Sequence, residues 1–204
     1  MEQTRKDTKK SFLLCYTFAV LLLLAYGIIL LTGLHYTGSS DTYSLYYLDH
    51  QLKYFVRDAE FKQTYRPGNR ISLTSSSGQY RCLGSGWSEP EAPATWAVGM
   101  QSDFLLWVEE PAGEAVMTLE IQQAVDGVPN SLYVNDQYAG PISIIDNTAQ
   151  VPLDGSLLHP GANVFSIRRE TMPRRYCEIN TQSTDDRLLN VYVNAVCLTF
   201  PSAQ

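Results

Sequence analysis

The residues most able to do chemistry cluster around one loop. Trp87 and Trp96 flank an acidic, proline-containing stretch that holds Glu89 and Glu91. Two neighbouring carboxylates suggest general acid–base work on a sugar. Glycoside hydrolysis, however, sets its carboxylates across the ring, roughly 5–9.5 Å apart. A pair on one loop has no partner that the sequence places opposite, so a structural role is expected: Glu91 accepts hydrogen bonds from backbone or arginine. Arg187 is the candidate partner, because a guanidinium fork matches a carboxylate. The two Trp rings have two readings, sandwich core or ligand platform, and each buries about 150–250 Å² when packed. His35, His50 and His159 are scattered, with no C-x-x-C spacing beside them, and make no zinc site. No G-x-S-x-G elbow, phosphate loop or H-E-x-x-H is present. Neither an enzyme nor a cofactor is expected.

Arg168, Arg169, Arg174 and Arg175, with Arg187 close in sequence, form the main basic concentration beyond the N-terminus. They read either as a solvated edge or as a patch for an anionic glycan, a lipid-linked phosphate or an acidic partner. The 204 residues carry 15 basic and 21 acidic side chains. A net charge of -6 argues against nucleic acid, whose binders present a basic stripe. An apolar fraction of 45% and a charged fraction of 18% exclude wholesale disorder.

These groups must be carried by distinct elements. Residues 11–34 form a run of 24 without a charge. At about 1.5 Å per residue, such a helix reaches across a hydrocarbon core of about 30 Å. The run exceeds a usual signal-peptide core, and Arg5, Lys6, Lys9 and Lys10 precede it. An uncleaved signal anchor follows, after a cytoplasmic tail of residues 1–10, with the rest exported. The exported part carries about -8. Residues 35–66 read as a hinge and a stalk: Leu45, Leu48, Leu52, Phe55, Val56 and Ala59 recur at helical spacing and predict an amphipathic helix over about 43–61. That helix either packs on the domain or meets another membrane protein.

Arg66-Pro67-Gly68-Asn69 closes that helix, and from residue 70 the period is two. Met117, Leu119 and Ile121 alternate with polar neighbours, and strands are predicted at 104–108, 132–135, 164–169 and 189–200. Turn signals fall between them, so residues 67–204 form an all-β sandwich. Cys82 falls on a first strand ahead of these and Cys197 on the last, which allows a bridge between them, while Cys177 lies in a loop. Three exported cysteines leave one thiol over, and three unpaired thiols is the competing reading.

Gly84-Ser85-Gly86-Trp87-Ser88-Glu89-Pro90-Glu91, then Thr95-Trp96-Ala97-Val98-Gly99, lead into three downstream pieces. These are Leu132 to Gly140, Leu158 to Ile167 and Asp185 to Val191. Their order and spacing resemble the galactose-binding-like jelly-roll domains attached to bacterial membrane proteins of envelope polysaccharide assembly. Asp136 and Asn190 stand where that pattern carries glycine. The resemblance implies a carbohydrate-binding-module-like jelly roll in the periplasm. It also implies an appendage of a glycan-handling protein rather than the enzyme itself.

The sequence thus predicts a single-pass protein of the bacterial inner membrane, N-terminus cytoplasmic. Its expected role is that of a non-catalytic accessory to envelope polysaccharide synthesis, modification or export. The jelly roll would bind glycan or dock on a membrane glycosyltransferase. Trp96, Trp107, Tyr133 and Tyr138 are the candidate sugar-stacking rings, and Asn135 and Asn163 the candidate hydrogen-bonding groups. The alternative is a protein–protein subunit of an inner-membrane complex with no affinity for sugars.

Overall fold

The computed structural model describes residues 16–31, 41–111, 113–125, 128–172 and 174–201. The chain divides into two compact units, Met1–Ser39 and Ser40–Gln204. In the first, residues 16–31 are helical and their large apolar side chains are exposed. Among the described residues no helix is long and apolar enough to cross a membrane. The two ends of the expected 11–34 span lie outside the described residues.

The second unit is an antiparallel β-sandwich of ten strands among the described residues: β1 (Ile71–Ser72), β2 (Thr95–Val98), β3 (Gln101–Val108), β4 (Glu114–Ala124), β5 (Asn130–Val134), β6 (Gln137–Pro141), β7 (Ile144–Ile145), β8 (Thr148–Asp154), β9 (Gly161–Arg169) and β10 (Leu189–Thr199). One sheet runs β1-β10-β4-β8-β7, with β2 also on β10, and the other runs β3-β9-β5-β6. The alternation read in the sequence supplies the facing layers. Ala115, Met117, Leu119 and Ile121 of β4 are buried against Phe104, Phe165, Ile167 and Leu132 of the other sheet, and the Phe104 and Phe165 rings stack at 5.4 Å. Between β5 and β6, Asn135 (φ 49) and Asp136 (φ 65) both take left-handed geometry. That geometry suits a two-residue hairpin, and Asn and Asp tolerate it.

The expected amphipathic helix over 43–61 is not formed as one element. A turn of helix at Asp41–Tyr43 runs into a wider turn at Ser44–Leu48, His50 has a left-handed φ of 52, and a short helix resumes only at Asp58–Thr64. Tertiary packing overrides the helical spacing. Leu52, Val56, Phe61 and Tyr65 join the sandwich core, and the intervening backbone lies along its edge, where the Lys53 amide donates to Leu83 O at 2.8 Å. Residues 41–66 are thus part of the sandwich unit rather than a stalk beneath it.

The expected Cys82–Cys197 bridge is absent, and both thiols are free. Cys82 lies on a 3-10 turn, Gln79–Cys82, with its thiol in the core; burial pushes its pKa up. Cys197 lies on the outer side of β10, near Glu120 and Arg70. Side chains on opposite sides of a sheet cannot meet at disulfide distance.

Candidate functional site

The outer face of the β3-β9-β5-β6 sheet carries one continuous cross-strand row. Asp103 pairs with Ser166, Ser166 with Tyr133, and Tyr133 with Tyr138. Paired residues present their side chains on the same face. At about 4.8 Å per strand, the row is roughly 14 Å long.

Local sequence builds the Asp103 end. Gly84-Ser85-Gly86 docks on the β3 backbone: the Gly84 amide donates to Asp103 O at 2.8 Å, and the Asp103 amide donates to Ser85 O at 2.9 Å. A Cβ on Gly86 would sit 1.8 Å from Gln101 O, and one on Gly84 would sit 2.4 Å from Gln51 O. Only glycine permits that approach. Trp87 locks the loop, its indole Nε1 donating to Asp103 O at 2.6 Å while the ring is buried. Trp87 is therefore core and positions the site from beneath.

The Asp103 carboxylate then collects donors. Ser85 Oγ donates to Oδ2 at 2.9 Å, and Ser166 Oγ and Gln101 Nε2 donate to Oδ1 at 2.6 and 2.8 Å. At the other end Tyr133 and Tyr138 meet edge-on at 5.5 Å, and Tyr138 is 57% exposed. The Arg168 guanidinium lies 4.2 Å over the Tyr133 ring and is ion-paired to Asp136 on the hairpin. Asp103, Ser166, Gln101 and Ser85 escaped the sequence reading. The available signal was the polar Gln101-Ser102-Asp103 bordering the apolar 104–108 run: the strand starts at Gln101, three residues before the expected start.

The remaining sequence candidates fall elsewhere. Trp96 is buried, stacked on Tyr192 at 4.5 Å within a small apolar cluster with Ala94, Val125 and Leu189, so it cannot serve as an exposed platform. Beside it, Glu91 accepts from Arg187 at 3.3 Å and from the Tyr192 hydroxyl at 2.8 Å. Glu89 turns away to Lys53, 2.8 Å distant, and to the Tyr54 hydroxyl, and these partners hold its carboxyl below the ordinary range. Asn135 and Asn163 are structural rather than ligand-facing. Asn135 Nδ2 donates to Leu157 O and to Asn163 Oδ1, at 2.9 and 2.8 Å, and its Oδ1 accepts from the Val164 amide. Asn163, fully buried, ties its own turn through His159 and Gly161. Trp107 is half-buried, apart from the row, with Lys62 Nζ 4.2 Å over its ring.

No arginine patch assembles. Arg168 and Arg169 alternate to opposite faces of β9. Arg169 is buried between the sheets, where burial lowers its pKa and Nη1 donates to Leu189 O at 3.3 Å. Arg175 pairs with Asp186 at 3.1 Å, and Arg174 donates to Glu178 O. Among the described residues, no group of His, Cys, Asp and Glu could hold a metal ion.

No family model matches the chain, and no curated protein matches it. Solved structures do. A family 35 carbohydrate binding module from an environmental isolate is 17% identical, over 59% of this chain and 80% of that one, with a TM-score of 0.35. The family 35 module of Cellvibrio japonicus Abf62 is 15% identical, over 58% of this chain and 75% of its own, with a TM-score of 0.35. A family 35 module from Clostridium thermocellum is 12% identical, over 57% of this chain and 85% of its own, with a TM-score of 0.33. These are likenesses to carbohydrate-binding modules, and the fold described above stands on its own strand order.

Proposed function

We propose that this protein is a non-catalytic glycan-binding module whose ligand lies along the Asp103–Ser166–Tyr133–Tyr138 row. The observation that carries the reading is the row itself: an exposed Tyr138 ring on the same rigid sheet face as the Asp103 carboxylate, with Tyr133 and the buried Ser166 in register between them. A sugar stacks its apolar face on an aromatic ring and spends its hydroxyls on nearby polar groups, which is the mixture such sites need. The row holds one carboxylate, and Asp136 nearby is committed to Arg168, so the acid pair of a glycosidase is not what supports this site.

The uncharged run at 11–34 and its basic flank support the rest of the reading. We place the protein in a bacterial inner membrane by that segment, with the sandwich on the periplasmic side. There it serves envelope polysaccharide synthesis, modification or export, alongside a membrane glycosyltransferase. Tethering would raise the effective concentration of the module at its partner. A screen of the full chain in detergent against immobilised glycans tests this. Wild type binds, Tyr138→Ala loses binding at least about tenfold while melting normally, and failure of wild type to bind any glycan sinks the reading.

One observation favours a second reading, protein docking. Tyr43, Tyr47, Leu48 and Phe55 are exposed at 45, 51, 63 and 42% and form an aromatic ledge, with Tyr43–Tyr47 rings at 4.7 Å and Tyr47–Phe55 at 6.0 Å. Contiguous apolar surface of this kind marks interaction sites. A photo-crosslinker at position 47, used in native membranes, would trap the same protein reproducibly if this reading holds.

A further inference from the structure

Resting on the glycan-binding reading, we infer that the ligand of the row is a neutral, hydroxyl-bearing sugar and that uronates are rejected. The argument is a hydrogen inventory. Asp103 has about four lone-pair positions and only accepts. Three are filled, by Ser85 Oγ at 2.9 Å, Ser166 Oγ at 2.6 Å and Gln101 Nε2 at 2.8 Å. The hydroxyl hydrogens of Ser85 and Ser166 are therefore turned inward. Gln101 Nε2 also reaches Ser166 Oγ at 3.5 Å, so its two hydrogens point along the row rather than outward.

What remains facing a ligand is a line of acceptors: the last position on Asp103, the oxygen of Ser85 and Gln101 Oε1, while Ser166, 1% exposed, holds Asp103 from beneath. A line of acceptors recognises groups that bring hydrogens. Sugar hydroxyls do so, whereas a carboxylate or sulfate only accepts and would meet the Asp103 charge. The cation that could offset this is already balanced by a second carboxylate, so the site keeps the Asp103 charge. Arg168 is ion-paired to Asp136 and lies 4.2 Å over the Tyr133 ring, closing that side to stacking. Tyr138, 57% exposed, is then the platform, with the hydroxyl-reading acceptors on the far side of Arg168.

A matched pair of ligands tests this: polygalacturonate and its carboxyl-reduced form, which differ only in the charged group. Full-length protein in detergent is run by affinity electrophoresis against each. We expect the reduced polymer to retard wild type at least about tenfold more strongly than the parent. Salt should leave the interaction nearly unchanged, since a neutral ligand is not screened. Asp103→Asn, which turns one acceptor into a donor, should weaken binding of the reduced polymer about tenfold and narrow the preference. Asp136→Asn, on the exposed hairpin, should release Arg168 and let polygalacturonate bind. Its turn geometry suits Asn, so it stands as the second test if Asp103→Asn does not fold.

Equal or tighter binding of polygalacturonate by wild type overturns the inference while leaving glycan binding intact. So does Asp103→Asn protein that folds and binds the reduced polymer as before. Binding of neither polymer, nor of neutral glucan, mannan or galactan, removes the glycan-binding reading itself.

Discussion

Two clusters in this sandwich are built from the same kinds of residue. On the β3-β9-β5-β6 face, Asp103, Arg168, Tyr133 and Tyr138 combine a carboxylate, a guanidinium and two rings. Across the molecule, beside β2 and β10, Glu91, Arg187, Tyr192 and Trp96 combine the same. In the second cluster the rings are closed off, although Glu91 and Arg187 keep 43 and 42% of their side chains exposed. Trp96 and Tyr192 are 6 and 8% exposed and stack at an interplanar angle of 17°. Both oxygens of Glu91 are taken, one by Arg187 and one by Tyr192. Arg187 is also clasped by Asp185 at 2.7 Å. Burial, and then the bond to Glu91, push the Tyr192 hydroxyl up to about 12. The first cluster leaves one ring and a line of acceptors unspent. Residue types alone do not make a site; what each group has left over after folding does.

The sharpest way to break this comparison is truncation of one ring on each side. Trp96→Ala should cost about 3–5 kcal/mol of stability, the price of emptying a packed aromatic position. Tyr138→Ala should change stability by less than about 0.5 kcal/mol, as expected for an exposed side chain. Denaturant unfolding of the two variants decides it; comparable losses would mean that Tyr138 is core and the row is not a surface. A smaller effect is expected from Glu91→Ala, about 1–3 kcal/mol, because the half-buried Tyr192 hydroxyl is left without its acceptor. Retention of wild-type stability would show that water replaces Glu91 as the acceptor of the Tyr192 hydroxyl.

The gentlest test is acid. Arg187 holds the Asp185 carboxyl below its ordinary range, and Arg70, through bonds of 2.5 and 2.6 Å, does the same to Glu120. A carboxyl depressed in the folded state contributes stability that is present above its unfolded value, about 4, and is lost as the pH falls through the lower folded value. Melting temperatures should therefore be flat near neutrality and decline below about pH 4. Asp185 and Glu120 are partly exposed and screened by solvent, so the decline should be shallow. Replacement of Arg187 by Gln should flatten the part of that decline that belongs to Asp185.

The two clusters also show how far a sequence can be read. Period-two alternation at 117–121 and the Asn135-Asp136 turn are short-range facts, because a strand's faces and a hairpin's left-handed geometry depend on adjacent residues. The Glu91–Arg187 contact was legible too, from complementary chemistry, although its partners lie 96 residues apart. The Asp146-Asn147 turn was missed, although both residues take left-handed geometry (φ 49 and 60) and Asp-Asn is itself a local signal.

Other features could not be read locally. Leu45 to Ala59 has helical spacing, yet Leu52 and Val56 gain more by entering the sandwich core than a short isolated helix can offer. Trp96 and Tyr138 both lie on strands, but a partner distant in the chain, Tyr192, covers the first and nothing comparable covers the second. The sequence alone determined that residues beyond 67 alternate, turn and pack as a sandwich, and that Gly84 and Gly86 flank a serine. The assembled sheets determined which outer face stays open, that Arg168 pairs with Asp136, and that Ser85, Gln101 and Ser166 converge on Asp103. Periodicity is a property of neighbours along the chain, whereas exposure and hydrogen-bond vacancy depend on every segment that packs nearby.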